Sequence, residues 1–179
     1  WWPNEDARTA IHFFHQSDTV IAYGGRSALS AIQKLVPITT RFIPHGHKLS
    51  FGMVSISALS VARAKRVATQ AALDIARYEQ QGCYSPQTFF VERGAQISPH
   101  EFAQSLASEL FALGHKYPRA QLSMEEASHI ANWRESHEFA MVQNTSIQVL
   151  GDKKDTFVVV YSDTPVSLSP SPLNRCISV

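Results

Sequence analysis

Cysteine is scarce in this chain. Its 179 residues hold two thiols, Cys83 and Cys176, which leaves no disulfide framework and no CxxC arrangement and points to a reducing compartment. An excess of charge of one sign is also missing: the formal net charge is +1, which argues for neither a nucleic-acid partner nor a membrane surface. No apolar run reaches membrane-spanning length, and the opening Trp1-Trp2-Pro3-Asn4-Glu5-Asp6 has neither the basic region nor the apolar core of a signal peptide. The expectation is a soluble, cytoplasmic protein. An initiator Met is absent too, which suggests an excised or processed segment, so the chain is expected to be incomplete. There is no internal repeat, and low complexity is confined to a Ser/Pro-rich stretch from Asp163 to Pro172. What the chain does have is an ordinary 44% of hydrophobic residues, enough for the sizeable core of one domain or of a piece of a larger one.

The most informative stretch is Gln80-Gln81-Gly82-Cys83-Tyr84-Ser85-Pro86. Here a long helical pattern stops and the extended apolar run Thr88-Phe89-Phe90-Val91 begins. A thiol at such a break can meet a substrate, and its thiolate is a strong nucleophile. Gly82 lets the backbone approach a ligand closely, and the Cys83 N–H is placed to help hold an oxyanion. The alternative is a buried cysteine, since free thiols are among the most buried groups. Cys176, inside the strand-like Arg175-Cys176-Ile177-Ser178-Val179, reads as core.

In chain order, Asp6 to Gln16 is a short amphipathic helix with Ala10, Ile11, Phe13 and Phe14 as its apolar residues. Asp18 to Tyr23 reads as a buried strand. Gly24-Gly25-Arg26-Ser27 follows, directly before the helical pattern Ala28, Leu29, Ile32, Leu35. Strand, glycine turn and helix together offer backbone N–H groups to a phosphate; without a GxGxxG the turn is equally a plain tight connection. Thr40 to Ile43 is a second strand, ending in Pro44-His45-Gly46-His47-Lys48. His45 and His47 point to one face of an extended chain, but no HxxxH or CxxC supplies a third ligand, so no metal is expected; the two histidines and Lys48 line a polar site, or one caps a turn.

From Ile56 to Gln81 apolar residues recur at Leu59, Ala62, Val67, Ala71, Ile75 and Tyr78, the stripe of one or two helices, with Arg63, Lys65, Arg66 and Arg77 on the solvated face. Ser98-Pro99-His100-Glu101 carries a helix start with a capping box; Phe102, Leu106, Leu110 and Leu113 form the buried face, and Gly114 ends it. Ser123-Met124-Glu125-Glu126 opens another helix bearing Ala127, Ile130, Ala131 and Trp133. Ser146–Leu150 and Thr156–Tyr161 make a hairpin, and Asn174–Val179 a further strand. The fold class expected is α/β: three layers, a mostly parallel sheet flanked by helices, with one antiparallel hairpin.

Taken together, Val20-Ile21-Ala22-Tyr23-Gly24-Gly25, Arg41-Phe42-Ile43-Pro44-His45-Gly46-His47-Lys48-Leu49-Ser50-Phe51 and Ala76-Arg77-Tyr78-Glu79-Gln80-Gln81-Gly82-Cys83-Tyr84-Ser85-Pro86 resemble the acyl-CoA reductase family. Its best-known members are the fatty-acid reductase subunits of bacterial bioluminescence, relatives of the aldehyde dehydrogenases, and the resemblance runs over the whole chain. It implies an aldehyde-dehydrogenase-like catalytic domain in which Cys83 takes the acyl group of a long-chain acyl-CoA or acyl-protein thioester and NADPH reduces it to a fatty aldehyde. Gly24, Gly25 and Ser27 would form the turn near the cofactor. Aldehyde dehydrogenases carry a Glu-Leu-Gly-Gly-Lys segment whose carboxylate activates water; Pro44-His45-Gly46-His47-Lys48 stands in its place here, so hydrolysis is not promoted, and His45 or His47 is left as a proton donor.

The resemblance further implies that residues 1–40 end a nucleotide-binding region and residues 41–179 belong to the catalytic domain of a longer protein. That longer protein would be a homo-oligomer with an acyl-protein synthetase as a partner. The competing expectations are an acyl transferase or thioesterase using Cys83 without redox chemistry, and an inactive structural fragment.

Overall fold

Asp6 sets the first helix. Its carboxylate accepts from the Thr9 N–H at 3.1 Å and the Thr9 hydroxyl at 2.6 Å, which caps α1, Ala7–His15. β1 (Thr19–Tyr23) and β2 (Arg41–His45) pair in parallel, from Thr19 opposite Arg41 to Tyr23 opposite His45. Between them runs α2, Arg26–Leu35. β1 is not buried on both sides as its composition suggests. Val20 and Ala22 are buried while Ile21 and Tyr23 are exposed, because α2 packs on one face only of this two-stranded sheet.

The computed structural model describes residues 3, 6–46, 49–164 and 167–179. It falls into two compact units, Trp1–Lys48 and Leu49–Val179. The division falls eight residues beyond residue 40, where the resemblance sets a boundary, and β2 belongs with the first unit.

The second unit is built on five strands in the order β3 (Phe51–Val54), β4 (Thr88–Val91), β7 (Cys176–Ser178), β6 (Val158–Ser162), β5 (Ile147–Leu150). β3–β4, β4–β7 and β7–β6 are parallel, and β6–β5 is the antiparallel hairpin. α3 (Val61–Ala76) and α4 (Pro99–Lys116) pack on each other and on one face of the sheet. Their core holds Leu59, Ala68, Ala72, Ile75, Phe102, Leu106 and Leu110 against Phe89, Val159 and Ile177. Each fully buried Leu or Phe of this set contributes roughly 1.5–3 kcal/mol. α5 (Met124–Gln143) covers the other face through Ile130 and Trp133, over Val158, Val160 and Cys176. The arrangement is thus helix, sheet, helix, with a mostly parallel sheet as expected. Among the described residues no helix is long and apolar enough to cross a membrane.

Three local expectations are corrected. β3 is a strand that the sequence reading did not assign; its exposed Phe51 and Met53 alternate with half-buried Gly52 and buried Val54 at the sheet edge. In α3 the buried stripe runs through Ala64, Ala68, Ala71, Ala72 and Ile75, whereas Ala62 and Tyr78 are exposed; Arg63, Lys65, Arg66 and Arg77 do lie on the exposed side. Gly114 does not end α4, which continues to Lys116. A Cβ at Gly114 would lie 2.7 Å from the Thr156 hydroxyl, so glycine is there to let the helix approach the chain before β6.

The capping boxes at Ser98 and Ser123 form as expected. The Ser98 N–H donates to the Glu101 carboxylate at 2.8 Å, and the Glu101 N–H donates back to the Ser98 hydroxyl at 3.2 Å. Bonds from the Ser98 backbone and then its side chain hold the Glu101 carboxyl below its usual range. A depressed carboxyl contributes stability above its unfolded-state pKa and loses it as pH falls through the folded value. Ser98→Ala should therefore lower the thermal midpoint by a few degrees at neutral pH. In acid the gap to the parent should close, as thermal melts of both proteins would show.

Candidate active site

The approach to Cys83 is shaped by an unusual backbone. α3 stops at Ala76, and Tyr78, Glu79 and Gln80 take φ of 54°, 51° and 64°, so the expected helix through Gln81 is broken by a left-handed turn. None of the three is Gly or Asn, and such a conformation costs about 1–2 kcal/mol per residue. A second turn of the same kind, Leu173, Asn174 and Arg175 at 62°, 52° and 70°, packs against it. The Asn174 N–H donates to the Glu79 carbonyl at 3.0 Å. The Arg175 guanidinium grips the Glu79 carboxylate through Nε and a terminal nitrogen, each at 2.9 Å, and its other terminal nitrogen donates to the Tyr117 carbonyl at 2.9 Å. The Arg175 side chain is 2% exposed and that of Glu79 20%. A two-pronged pair whose third nitrogen is also hydrogen-bonded is the geometry in which a buried ion pair holds, and it braces both turns.

From this base the chain enters the Cys83 loop. Gly82 and Ser85 form a turn, with the Ser85 N–H on the Gly82 carbonyl at 2.9 Å; a Cβ at Gly82 would sit 3.1 Å from the Ser85 hydroxyl, so a side chain there would crowd the turn. The Ser50 hydroxyl, just ahead of β3, donates to the Cys83 carbonyl at 2.6 Å. The thiol is exposed and opens on a pocket of about 370 Å³ bordered by Asp74, Arg77, Tyr78, Gly82, Tyr84 and Ser85. Among the described residues the Cys83 N–H has no acceptor. A reachable thiol beside a free backbone donor can attack a carbonyl carbon and hold the oxygen that becomes negative.

The other expected site residues lie in the first unit. Gly25 precedes the first turn of α2, and Ser27 lies within that turn. The Gly24 N–H is already used, donating to the His45 carbonyl at 3.2 Å; the donors left for an anion are those of the α2 first turn, with Arg26 beside them. The His45 ring stacks on Tyr23 at 4.6 Å and 11°. His47 and Lys48 lie outside the described residues. Among the described residues no three His, Cys, Asp or Glu side chains converge on a common point.

Cys176 behaves as core: it is fully buried, and burial pushes its thiol up to about 12. A raised thiol pKa contributes stability that is complete below the unfolded value near 9 and is lost as pH climbs toward the folded one. Iodoacetamide should label Cys83 in the folded protein and reach Cys176 only after denaturant is added. Cys176→Ala should flatten the alkaline fall in thermal stability seen in the parent.

Ser50 and Asp74 beside the Cys83 loop, and Glu79, Gln80 and Arg175 at its base, are residues that sequence reasoning did not single out. Arg175 is 96 residues from Glu79 in the chain, and no spacing or periodicity announces such a partner.

The family model described as acyl-CoA reductase (LuxC) matches residues 1–179. A long-chain acyl-protein thioester reductase of Photorhabdus laumondii is 26% identical over 178 residues, 99% of this chain and 34% of its own length; a Vibrio harveyi protein of the same name is 24% identical over 180 residues, 100% of this chain and 35% of its own. The chain thus spans about a third of the length of these curated relatives. Among solved structures, an indole-3-acetaldehyde dehydrogenase complexed with NAD+ superimposes with a TM-score of 0.65 at 12% identity, over 96% of this chain and 36% of that one. The fold is that of an aldehyde dehydrogenase segment.

Proposed function

The chain belongs to the acyl-CoA reductase (LuxC) family, and we propose that it carries the cysteine-bearing part of an enzyme that reduces a long-chain fatty acyl thioester to the aldehyde. Cys83 is the nucleophile. The observation that carries this reading is an exposed thiol at the end of a braced turn, with a pocket before it and its own N–H unspent.

In the first half-reaction the Cys83 thiolate attacks the thioester carbonyl of acyl-CoA or of an acylated protein. A carbon–sulfur bond forms, the Cys83 N–H holds the oxyanion, and the donor's thiolate leaves and takes up a proton. When bound, NADPH supplies the hydride that brings the enzyme-held acyl group to the aldehyde level. The N–H groups in the first turn of α2, with Arg26, suit the phosphates of such a cofactor, so Gly24, Gly25 and Ser27 line its place, and residues 1–40 are the end of the nucleotide-binding region. Residues 41–179 are the catalytic part. His45 and His47 are the candidate proton donors for the departing groups; the stack on Tyr23 would fix the His45 ring for that task. The same reading makes the enzyme cytoplasmic, homo-oligomeric and served by an acyl-protein synthetase.

Incubating the protein with a long-chain acyl-CoA and mapping the adduct by mass spectrometry tests the covalent step. One acyl group on the Cys83 peptide is expected. No adduct, or one on Cys176, would refute it; CoA release to water without NADPH consumption would turn the assignment to a thioesterase.

A further inference from the structure

Gln80 is 1% exposed and stands at the head of the Cys83 loop. Its Nε2 donates to the Pro86 carbonyl at 2.6 Å and to the Cys176 carbonyl at 2.8 Å. Its Oε1 accepts from the Cys176 N–H at 3.0 Å. Both amide hydrogens are thereby used, and the carboxamide pairs with Cys176 as a neighbouring strand residue would. The orientation is dictated by its partners, since the reverse would set the amide nitrogen against an N–H and the oxygen against two carbonyls.

A buried position filled only for packing would take a Leu or Met. This one takes an amide whose bonds join the two ends of the loop, residues 80 and 86, to β7. Backbone pairing of β4 with β7 is otherwise thin, with Thr88 opposite Ser178 as its single register pair. The middle of the loop is held separately by Ser50 at the Cys83 carbonyl. Three successive left-handed residues deliver Gln80 to this spot, and strain of that kind persists where the surroundings over-determine a functional geometry.

We propose that Gln80 is the positioning residue of the nucleophile: its carboxamide fixes both ends of the 80–86 loop on β7, so that the Cys83 thiol and N–H hold one arrangement toward a thioester carbonyl. The inference rests on the reading of Cys83 as the nucleophile. It assigns to Gln80 no contact with substrate and no share in proton transfer.

The test compares two reactions of the same sulfur. Acylation by a long-chain acyl-CoA demands alignment of thiol, carbonyl and oxyanion donor, and misplacement by about 1 Å can cost roughly a hundredfold; alkylation by iodoacetamide demands only access. In Gln80→Met the saturating acylation rate should fall about 10- to 100-fold with the half-saturating acyl-CoA concentration unchanged, while the alkylation rate of Cys83 stays at the parental value. A parental acylation rate overturns the proposal, and so does a parallel fall in both reactions, which would mean a general loss of structure. If Gln80→Met does not fold, Gln80→Asn, which keeps the amide but draws it one methylene back from its three bonds, decides by the same comparison. Acylation that persists in Cys83→Ser would overturn the nucleophile itself, a failure distinct from that of Gln80.

Discussion

Cys83→Ser should show no acyl mass after an incubation that fully acylates the parent, a loss of roughly a thousandfold or more in rate. Sulfur is intrinsically the stronger nucleophile, whereas a hydroxyl needs a base to take its proton as it attacks. Among the described residues no side chain is hydrogen-bonded to the Cys83 sulfur, although the Asp74 carboxylate borders the same pocket. The substitution swaps one exposed atom, so the thermal midpoint should stay within about a degree of the parent. Serine protein acylated at even a tenth of the parental rate would remove the thiol from the mechanism. A large drop in its melting temperature would mean that the Cys83 side chain packs into the fold.

The second large effect is on stability. Glu79→Ala should cost about 3–5 kcal/mol, because it leaves the Arg175 guanidinium buried without its counter-charge. For a unit of this size that is a fall of roughly 10 °C in thermal midpoint. The reverse substitution, Arg175→Met, should cost less, since the Glu79 carboxylate is 20% exposed and can turn to water. The double variant should be milder than the sum of the two, as neither charge is then stranded. Chemical denaturation of the four proteins measures this directly; simple additivity would mean that the pair does not brace the two turns.

These two predictions sit at opposite ends of what a sequence reader can see. The loop at Cys83 was legible because a glycine and a strand start are local signals, and the capping boxes at Ser98 and Ser123 were legible for the same reason. The hairpin and the helix-flanked parallel sheet followed from periodicity and alternation. Glu79 and Gln80 were hidden by that same periodicity. They continue the helical pattern through Tyr78, yet the helix has already ended at Ala76, because a distant guanidinium and the backbone of β7 outbid local propensity. β3 escaped because its four residues alternate in burial but not in residue type, three of the four being apolar. Gly114 misled because glycine marks both helix ends and close approaches, and only the Thr156 neighbour distinguishes them.

The order of strands has a consequence for how this molecule comes into being. β7, which follows the other four strands of the five-stranded sheet in sequence among the described residues, lies in its middle, with β4 on one side and β6 on the other. Until it arrives, the earlier strands exist as two separate ribbons, each with a bare inner edge open to a wrong neighbour. Closure must wait for a contact spanning most of the unit, which makes assembly slow and leaves those edges vulnerable to association in the interval.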